Sequence, residues 1–361
     1  WKDFSAIKWR DALTMFAFNK KTKGLIGIAC IDNGVTLGQC AWSKGKYTHP
    51  KVIRLERNPR ELTSDDWRSA IHDAGLSGSD CVVTLPPSMI HHQVLRLPEM
   101  SDSEIKEAAS WEMSERYGID RNKLQSEAIR IGLGGDVLAL AIELDELECI
   151  LEPIYAAGLR PTKVEAQCVS ISRTFSLLHR RQSDQGNVRS LFNFGMHDSS
   201  FIILDGDSMV FYKQLNHKHS DLLNAIESHT GVSQSQAASM LEEARFDGGE
   251  PAICKAVRDA TRSIHEEITT DIMKCLRHYG VTNRGPLSSL MYITGKGGWN
   301  QFLGEFLSTA CNQDVFVDMQ APHVSRLDYE TISVAGWHAV LGASLATLIA
   351  KPARRGEDHQ L

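Results

Sequence analysis

Three glycines stand where a strand-like run of the sequence changes into a helical pattern. Apolar residues from Leu290 lead into Gly295, Gly297 and Gly298, and apolar positions then recur at helical spacing as far as Phe306. Glycine lets the backbone come close to a ligand, and the start of a helix offers free N–H groups to an anion. The pattern predicts a strand, a turn and a helix suited to a nucleotide, although glycines also occur in such turns for closure alone.

Two short polar turns far apart in the chain are alike. Asp32, Asn33 and Gly34 follow the first strand of one predicted β-meander, and Asn193 and Gly195 occupy the same place in a second meander. A repeated meander indicates internal duplication, and two related α/β halves usually face each other across a cleft. The sequence therefore predicts two related lobes that face each other across a cleft.

The histidine pairs are weaker candidates for chemistry. His217 and His219 have the spacing of a metal pair, but no nearby Cys, Asp or Glu completes a set, so we expect solvent-exposed histidines. His91 and His92 fall in a predicted strand, where neighbouring side chains point to opposite faces. The sequence contains neither a Walker A nor a G-x-S-x-G motif.

The composition is that of a globular protein with length for two core-bearing units. Of 361 residues, 42% are hydrophobic and 23% are charged, the net charge is -6, and no Lys/Arg stripe alternates with aromatic residues, so nothing favours a nucleic-acid partner. Eight scattered cysteines without a C-x-x-C pair indicate a reducing cytoplasm rather than a disulfide scaffold. The apolar stretch 334–350 is interrupted by glycine and polar residues and predicts a buried helix rather than a membrane span.

These patterns divide the chain into lobes, an insert and terminal segments. Ser101 and Glu104 have the spacing of a capping box and predict a helix start within the insert. The strand edges and the exposed helix face of the insert are candidate partner surfaces. The predicted units are an N-terminal arm at 1–23, a first lobe at 24–78 and 161–189, an α+β insert at 79–160, a second lobe at 190–350 with a helical subdomain at 216–284, and a disordered tail at 351–361.

Several short motifs, in their order and spacing, resemble the PilM family, which comprises actin-like proteins of type IV pilus assembly related to the cell-division protein FtsA. They cover nearly the whole chain from Gly24. The motifs are Asp32-x-Gly34, Val83-Thr84-Leu85-Pro86, Leu97-Pro98-Glu99-Met100-Ser101, Trp111-Glu112, Ala157-Gly158-Leu159-Arg160-Pro161 with Val164-Glu165, Asn193-x-Gly195, Asp271-Ile272-Met273-Lys274 with Tyr279, Gly295 to Gly298, and His338-Ala339-Val340-Leu341-Gly342-Ala343. The resemblance implies an α/β fold, two-lobed and actin-like (ribonuclease H-like), with a small α+β insert placed as in FtsA and PilM.

The resemblance also implies a site for ATP and Mg²⁺ between the lobes. Backbone N–H groups of two hairpin turns would hold the phosphates, and Asp32 would position hydrated Mg²⁺. The implied nucleotide-binding residues are Asp32, Asn33 and Gly34 at the first phosphate turn, Asn193, Gly195, Ser199 and Ser200 at the second, Asp271 and Lys274 near the ribose and base, and Gly295, Gly297 and Gly298 against the adenosine.

The sequence departs from the family pattern at this implied site. Asn193 stands where the family usually has Asp, and an amide brings no charge to a metal, so we expect weaker handling of Mg²⁺ and γ-phosphate and no efficient ATPase activity. The other departures are Cys30 in place of a glycine, Lys218 and His219 in place of a glycine pair, and Asp271 and Lys274 in place of Glu and Arg.

The function implied by the resemblance is that of a cytoplasmic scaffold, peripheral to the inner membrane, in the type IV pilus assembly platform. Its partners would be the N-terminal peptide of a PilN-like bitopic membrane protein and other platform proteins, and only these partners would link it to the membrane. Two alternatives share the fold: an active small-molecule kinase or ATPase, and the cytoplasmic domain of a type II secretion platform protein. A chaperone ATPase of the Hsp70 type would need a substrate domain after the last predicted helix, where the sequence has only a short tail.

Overall fold

The computed structural model describes residues 22–31, 33–43, 46–132, 135–178, 188–244, 249–283, 288–317 and 334–346. Asp32, most of the predicted arm and the predicted tail lie outside these residues. The strands are β1 Thr22–Lys23, β2 Ile26–Ile31, β3 Gly34–Ser43, β4 Lys46–Leu55, β5 Asp80–Leu85, β6 His91–Arg96, β7 Leu124–Ile131, β8 Asp136–Glu143, β9 Arg160–Ala166, β10 Val188–Phe194, β11 Ser199–Asp205, β12 Ser208–Leu215, β13 Leu290–Thr294 and β14 Asp314–Val317. The α-helices are α1 Ser64–Asp73, α2 Asp102–Tyr117, α3 Leu144–Ala156, α4 Gln167–Leu178, α5 His219–Thr230, α6 Gln234–Glu243, α7 Pro251–Asn283, α8 Gln301–Cys311 and α9 Trp337–Ser344.

The first lobe is built on a mixed sheet in the order β1-β3-β2-β5-β9, with β4 also paired to β3. Strand β2 pairs antiparallel with β3 and parallel with β5, and all six of its residues are buried. A strand that is apolar along its whole length is typical of the centre of a sheet covered on both faces. On one side lies α1, which begins with a capping box between Thr63 and Asp66 and buries Trp67.

Helix α9 covers the other side of this sheet. All eight of its residues are buried, which confirms the predicted buried helix. Its backbone lies so close to β2 that a Cβ on Gly27 would stand 2.3 Å from the carbonyl oxygen of Val340. Thr174 of α4 donates to the carbonyl oxygen of His338, and Ser344 donates to that of Leu25. The sequence assigned this helix to the second lobe, and that assignment was wrong, because hydrophobicity shows that a helix is buried but not which sheet it covers.

The second lobe repeats the meander in a sheet of order β12-β11-β10-β13-β14. Strand β10 pairs antiparallel with β11 and parallel with β13, as β2 does with β3 and β5. Helices α5 to α8 pack against it around one core that includes Phe192, Ile226 and Ile272. The chain between β12 and residue 244 forms two helices, because Gly231 ends α5 in the left-handed conformation and Ser233 caps α6.

The insert is smaller than the predicted range 79–160, because β5 pairs within the first-lobe sheet and α3 packs into the core of that lobe. It is a three-stranded antiparallel sheet, β6-β8-β7, between α2 and the second lobe. One face packs on α2 through Ala109 and Met113, and α2 begins at the predicted capping box of Ser101 and Glu104. The opposite face shares a core with β11 and β12 of the second lobe. Among the described residues, no helix combines the length and apolar character needed to cross a membrane.

Candidate functional site

Two tight hairpin turns face each other where the lobes meet. In the first lobe, Ile31 pairs with Gly34, and Asn33 between them has a positive φ of 58°. In the second lobe, Phe194 pairs with Ser199, and the N–H of Gly195 donates to the carbonyl oxygen of Asp198 at 2.9 Å. The structure therefore forms both turns that the sequence predicted.

The tips of these turns contact each other or the opposite lobe. The Nδ2 atom of Asn33 lies 3.5 Å from Nε2 of His197, and the hydroxyl of Ser88 in the first lobe donates to Asp198 at 3.1 Å. Side chains of the turns therefore bridge the cleft at the place where the phosphates were expected. A triphosphate would have to separate these contacts to enter.

Asn193 is held by hydrogen bonds across the cleft. Its side chain is 3% exposed, its Nδ2 atom donates to Oε1 of Gln167 at 3.4 Å, and its Oδ1 atom accepts from the hydroxyl of Thr294 at 3.2 Å. Both polar ends of the amide therefore have partners. Gln167, the first residue of α4, was not predicted as a site residue. The sequence did contain a signal for it, because polar residues that directly follow a strand often lie at a binding cleft.

Packing requires glycine at two of the three positions in the turn between β13 and α8. Gly295 has a φ of 83°, and a Cβ there would lie 2.8 Å from the carbonyl oxygen of Phe194. A Cβ on Gly297 would stand 2.1 Å from the Phe194 ring, and Gly298 donates its N–H to the carbonyl oxygen of Gly295 at 3.0 Å. The glycine turn and the second hairpin are therefore pressed together. The role of these glycines against adenosine stays a prediction.

A crevice of about 150 Å³ opens beside the glycine turn, between that turn and helices α5 and α6. Its lining is largely apolar, with charged groups at Glu242 and Lys296. Small-molecule pockets are likewise mostly apolar but usually measure about 300–1,000 Å³, so this crevice has room for only part of a nucleotide. The lining residues are Met196, His219, Leu223, Ala238, Leu241, Glu242, Ala244, Lys296, Gly297, Asn300, Gln301 and Phe302.

The predicted ribose and base residues join the second turn through His217. Nε2 of His217 lies 2.9 Å from Asp271, and the hydroxyl of Ser199 donates to the backbone carbonyl of His217 at 2.5 Å. The Lys274 ammonium, 2.8 Å away, and His217 hold the pKa of the Asp271 carboxyl below its usual value. Ser200 is buried beside this network in β11.

The expectation of solvent-exposed histidines at 217 and 219 was wrong. The side chain of His217 is 12% exposed, and His219 is buried with its ring 5.9 Å from that of Phe194. The reason is that α5 begins directly on the second turn, where the N–H of His219 donates to Gly195 and that of Ser220 to Met196. Two N–H groups at the start of this helix are thereby engaged with the protein's own carbonyl groups. His91 and His92 point to opposite faces as predicted: the His91 ring lies 4.2 Å from that of Tyr117 in a tilted arrangement, and the His92 ring lies 5.7 Å from that of Tyr212.

The described residues fit the base of a nucleotide better than a magnesium triphosphate. The crevice beside Gly297 offers an apolar slot, whereas the amide of Asn193 carries no charge and both its polar atoms are already bonded. Among the residues that the structure describes, no cluster of three or more His, Cys, Asp or Glu side chains is arranged to hold a metal ion. Asp32, the predicted Mg²⁺ partner, lies outside them.

Two open grooves flank the insert. The acidic groove, of about 320 Å³, lies between the first lobe and the insert and is lined by Arg60, Ser88, Met89, Ile90, His91, Ile142, Glu143, Asp145 and Glu146. The edge groove, of about 570 Å³, lies between the insert and the second lobe and is lined by His92, Gln93, Val94, Ile131, Asp136, Val210, Phe211, Tyr212, Lys213, Gln214, Asn216, Lys274, Cys275, His278 and Thr282.

Comparison with known proteins identifies the fold. No protein-family model and no curated protein sequence matches the chain. A chain of the PilM-PilN type IV pilus biogenesis complex matches with a TM-score of 0.67 and 16% identity, over 91% of this chain and 99% of its own. The ethanolamine utilization protein EutJ from Carboxydothermus hydrogenoformans matches with a TM-score of 0.51 and 9% identity, over 90% and 89%. The predicted fold is confirmed: the chain has a two-lobed actin-like fold, similar in structure to the PilM-PilN complex.

Proposed function

We propose that this protein is an actin-like scaffold of a type IV pilus assembly platform that docks the N-terminal peptide of a PilN-like membrane protein at the cytoplasmic face of the inner membrane. The observation that carries the proposal is the structural match to a chain of the PilM-PilN complex. A match over 91% of the chain cannot omit the whole insert, which comprises β6, α2, β7 and β8. The insert is the part of the molecule that creates both grooves.

The acidic groove is the proposed docking place because of its charge. Glu143 and Asp145 are exposed there, and Arg60 pairs with Glu146. Cytoplasmic segments that adjoin a membrane span are enriched in Lys and Arg. A short basic peptide that leads into a membrane span therefore complements this groove, and an extended peptide suits its open form.

The test uses a fluorescein-labelled peptide with the cytoplasmic N-terminal sequence of the PilN-like protein encoded in the same genome. Fluorescence anisotropy should detect its binding, and the double variant Glu143→Gln, Asp145→Asn should weaken it roughly 10-fold, since each exposed charge contributes about 0.5–1 kcal/mol. The matched control is Glu148→Gln, Glu152→Gln, which removes two exposed charges of α3 that lie outside the groove. Equal weakening by both variants would contradict docking in this groove, and absence of binding would contradict the scaffold proposal.

Nucleotide binding with weak or no hydrolysis is the second part of the proposal. It is supported by the crevice beside the glycine turn and by the neutral side chain of Asn193 at the second turn, whose two polar atoms each have a hydrogen-bond partner. Calorimetric titration with ATP and Mg²⁺, followed by a phosphate-release assay on the same sample, tests it. Binding without release is the expected result. Brisk release would contradict it and favour the kinase or ATPase alternative.

A further inference from the structure

The edge groove runs along an open strand edge. Strand β12 is the terminal strand of its sheet and pairs only with β11 among the described strands, so every second residue directs its N–H and C=O groups away from the sheet. Five consecutive residues of this strand, 210–214, line the groove. Successive side chains point to opposite faces of a sheet, so consecutive lining residues indicate that the backbone edge itself faces the groove.

The insert already uses one end of this edge. The backbone N–H of Gly132, just after β7, donates to the carbonyl oxygen of Met209 at 3.3 Å. The terminal strand β6 of the insert also lines the groove, with His92, Gln93 and Val94, and the His92 ring lies 5.7 Å from that of Tyr212 in β12. The groove therefore continues an edge contact that the fold itself makes.

The edge groove carries a net positive charge, which favours an acidic ligand. Lys213 is exposed and has no ionic partner among the described residues, and Lys274 is the second cation of the lining, paired with Asp271 outside it. Asp136 is the one carboxylate among the groove's lining residues. Exposed lysine on a strand edge opposes pairing with a second copy of the same edge, because two lysines would then approach each other.

We propose that the edge groove binds an extended, acidic peptide segment of a partner protein, which pairs with β12 as an added strand and places a carboxylate at Lys213. Apolar side chains on alternate residues of the peptide would pack on Val94, whose side chain is exposed in the groove wall. The inference goes beyond pilus docking in the acidic groove and does not depend on it, because the two grooves lie on opposite sides of the insert and carry opposite charge.

The test begins with a phage-displayed library of random twelve-residue peptides, selected on the full chain and counter-selected on Lys213→Glu. Recovered sequences should alternate apolar and acidic residues. A fluorescein-labelled recovered peptide should bind the Lys213→Glu variant at least 10-fold more weakly than the unmutated protein. The same peptide with its Glu and Asp residues replaced by Gln and Asn should bind the unmutated protein more weakly. The control Lys123→Glu reverses an exposed charge on the insert outside the groove and should bind normally.

Hydrogen exchange locates the bound peptide. The expected result is new protection of backbone amides in 210–214 when the peptide is added. Failure to enrich any peptide, equal binding to Lys213→Glu, or protection elsewhere would overturn the proposal. Full protection of 210–214 without peptide would also overturn it, because the edge would then be covered by this chain.

Discussion

At the scale of single residues, the least exposed ionisable side chain among the described residues of the helical subdomain is that of His265. Its side chain is 1% exposed, its Nε2 atom lies 3.0 Å from the side-chain nitrogen of Asn300, and its ring packs 5.8 Å from that of Phe306. Burial lowers the pKa of His265 to about 4. Asn300 in turn caps α8, the helix that follows the glycine turn. The neutral form of this histidine therefore helps hold α7 and α8 together.

We predict that the free energy of unfolding falls as the pH is lowered from about 6.5 to about 4, because the unfolded chain binds a proton that the folded chain does not. The sign follows from the depressed pKa: above 6.5 both states are neutral, and below it only the unfolded histidine is charged. At pH 5 this amounts to about 2 kcal/mol. Urea unfolding of His265→Gln should show a smaller loss between pH 7 and pH 5 than the parent. The control His72→Gln, at an exposed histidine, should lose as much free energy of unfolding between pH 7 and pH 5 as the parent does. A loss in His265→Gln equal to that of the parent would contradict the prediction.

At the scale of elements, the second hairpin and the glycine turn are one packed unit. The Phe194 ring fills the space that a side chain at 297 would need, and it stacks on Phe192 at 5.2 Å. The strand-to-helix connection after β13 can therefore follow its path only with glycine at 297.

Gly297→Ala should destabilise the protein by about 1–3 kcal/mol, because the added methyl group overpacks a closed contact. Thermal unfolding measures the change. Phe194→Leu should destabilise the Gly297→Ala variant less than it destabilises the parent, because the smaller side chain relieves the clash. Such non-additive changes in stability indicate that the two residues are in direct contact. Gly304→Ala is the control, since its Cβ would meet only Val317 at 3.3 Å in the middle of α8. Additive effects of the first two substitutions would show that the clash is relieved elsewhere.

The sequence predicted most elements because their signals are local. The capping box at Ser101, both meanders and the buried helix at α9 can be read from residues near each other in the chain. The burial of His217 and the pairing of Asn193 with Gln167 could not, because each depends on a contact between distant segments. Sequence patterns indicate which residues avoid water, but not which surfaces they meet.

At the scale of the whole molecule, side-chain contacts at the two turns hold the lobes together across the cleft. Ser88 bonds to Asp198, Asn33 approaches His197, and Gln167 accepts from Asn193. Such bonds each contribute about 0.5–1.5 kcal/mol, so together they favour a closed cleft by a few kcal/mol. A ligand whose phosphates enter between the turns must work against them, which reduces its apparent affinity.

We therefore predict that Ser88→Ala, His197→Ala binds magnesium ATP about 3- to 10-fold more tightly than the parent in calorimetric titration, because two closing contacts are gone. Ser103→Ala, at an exposed serine of the insert, should leave the affinity unchanged. Unchanged or weaker affinity of the double variant would mean that the contacts between the turns do not oppose nucleotide entry.

The position of α9 sets an order of events during synthesis. Strands β2 and β3 are among the first described segments of the chain to be made, yet the helix that seals their inner face ends at Ser344. Until that helix leaves the ribosome, α4 has been made, but the apolar surface of β2 and β3 that α9 covers still lacks this helix. Among the described residues, the core of the second lobe is complete once β14 is made. The lobe that is translated first is therefore finished last.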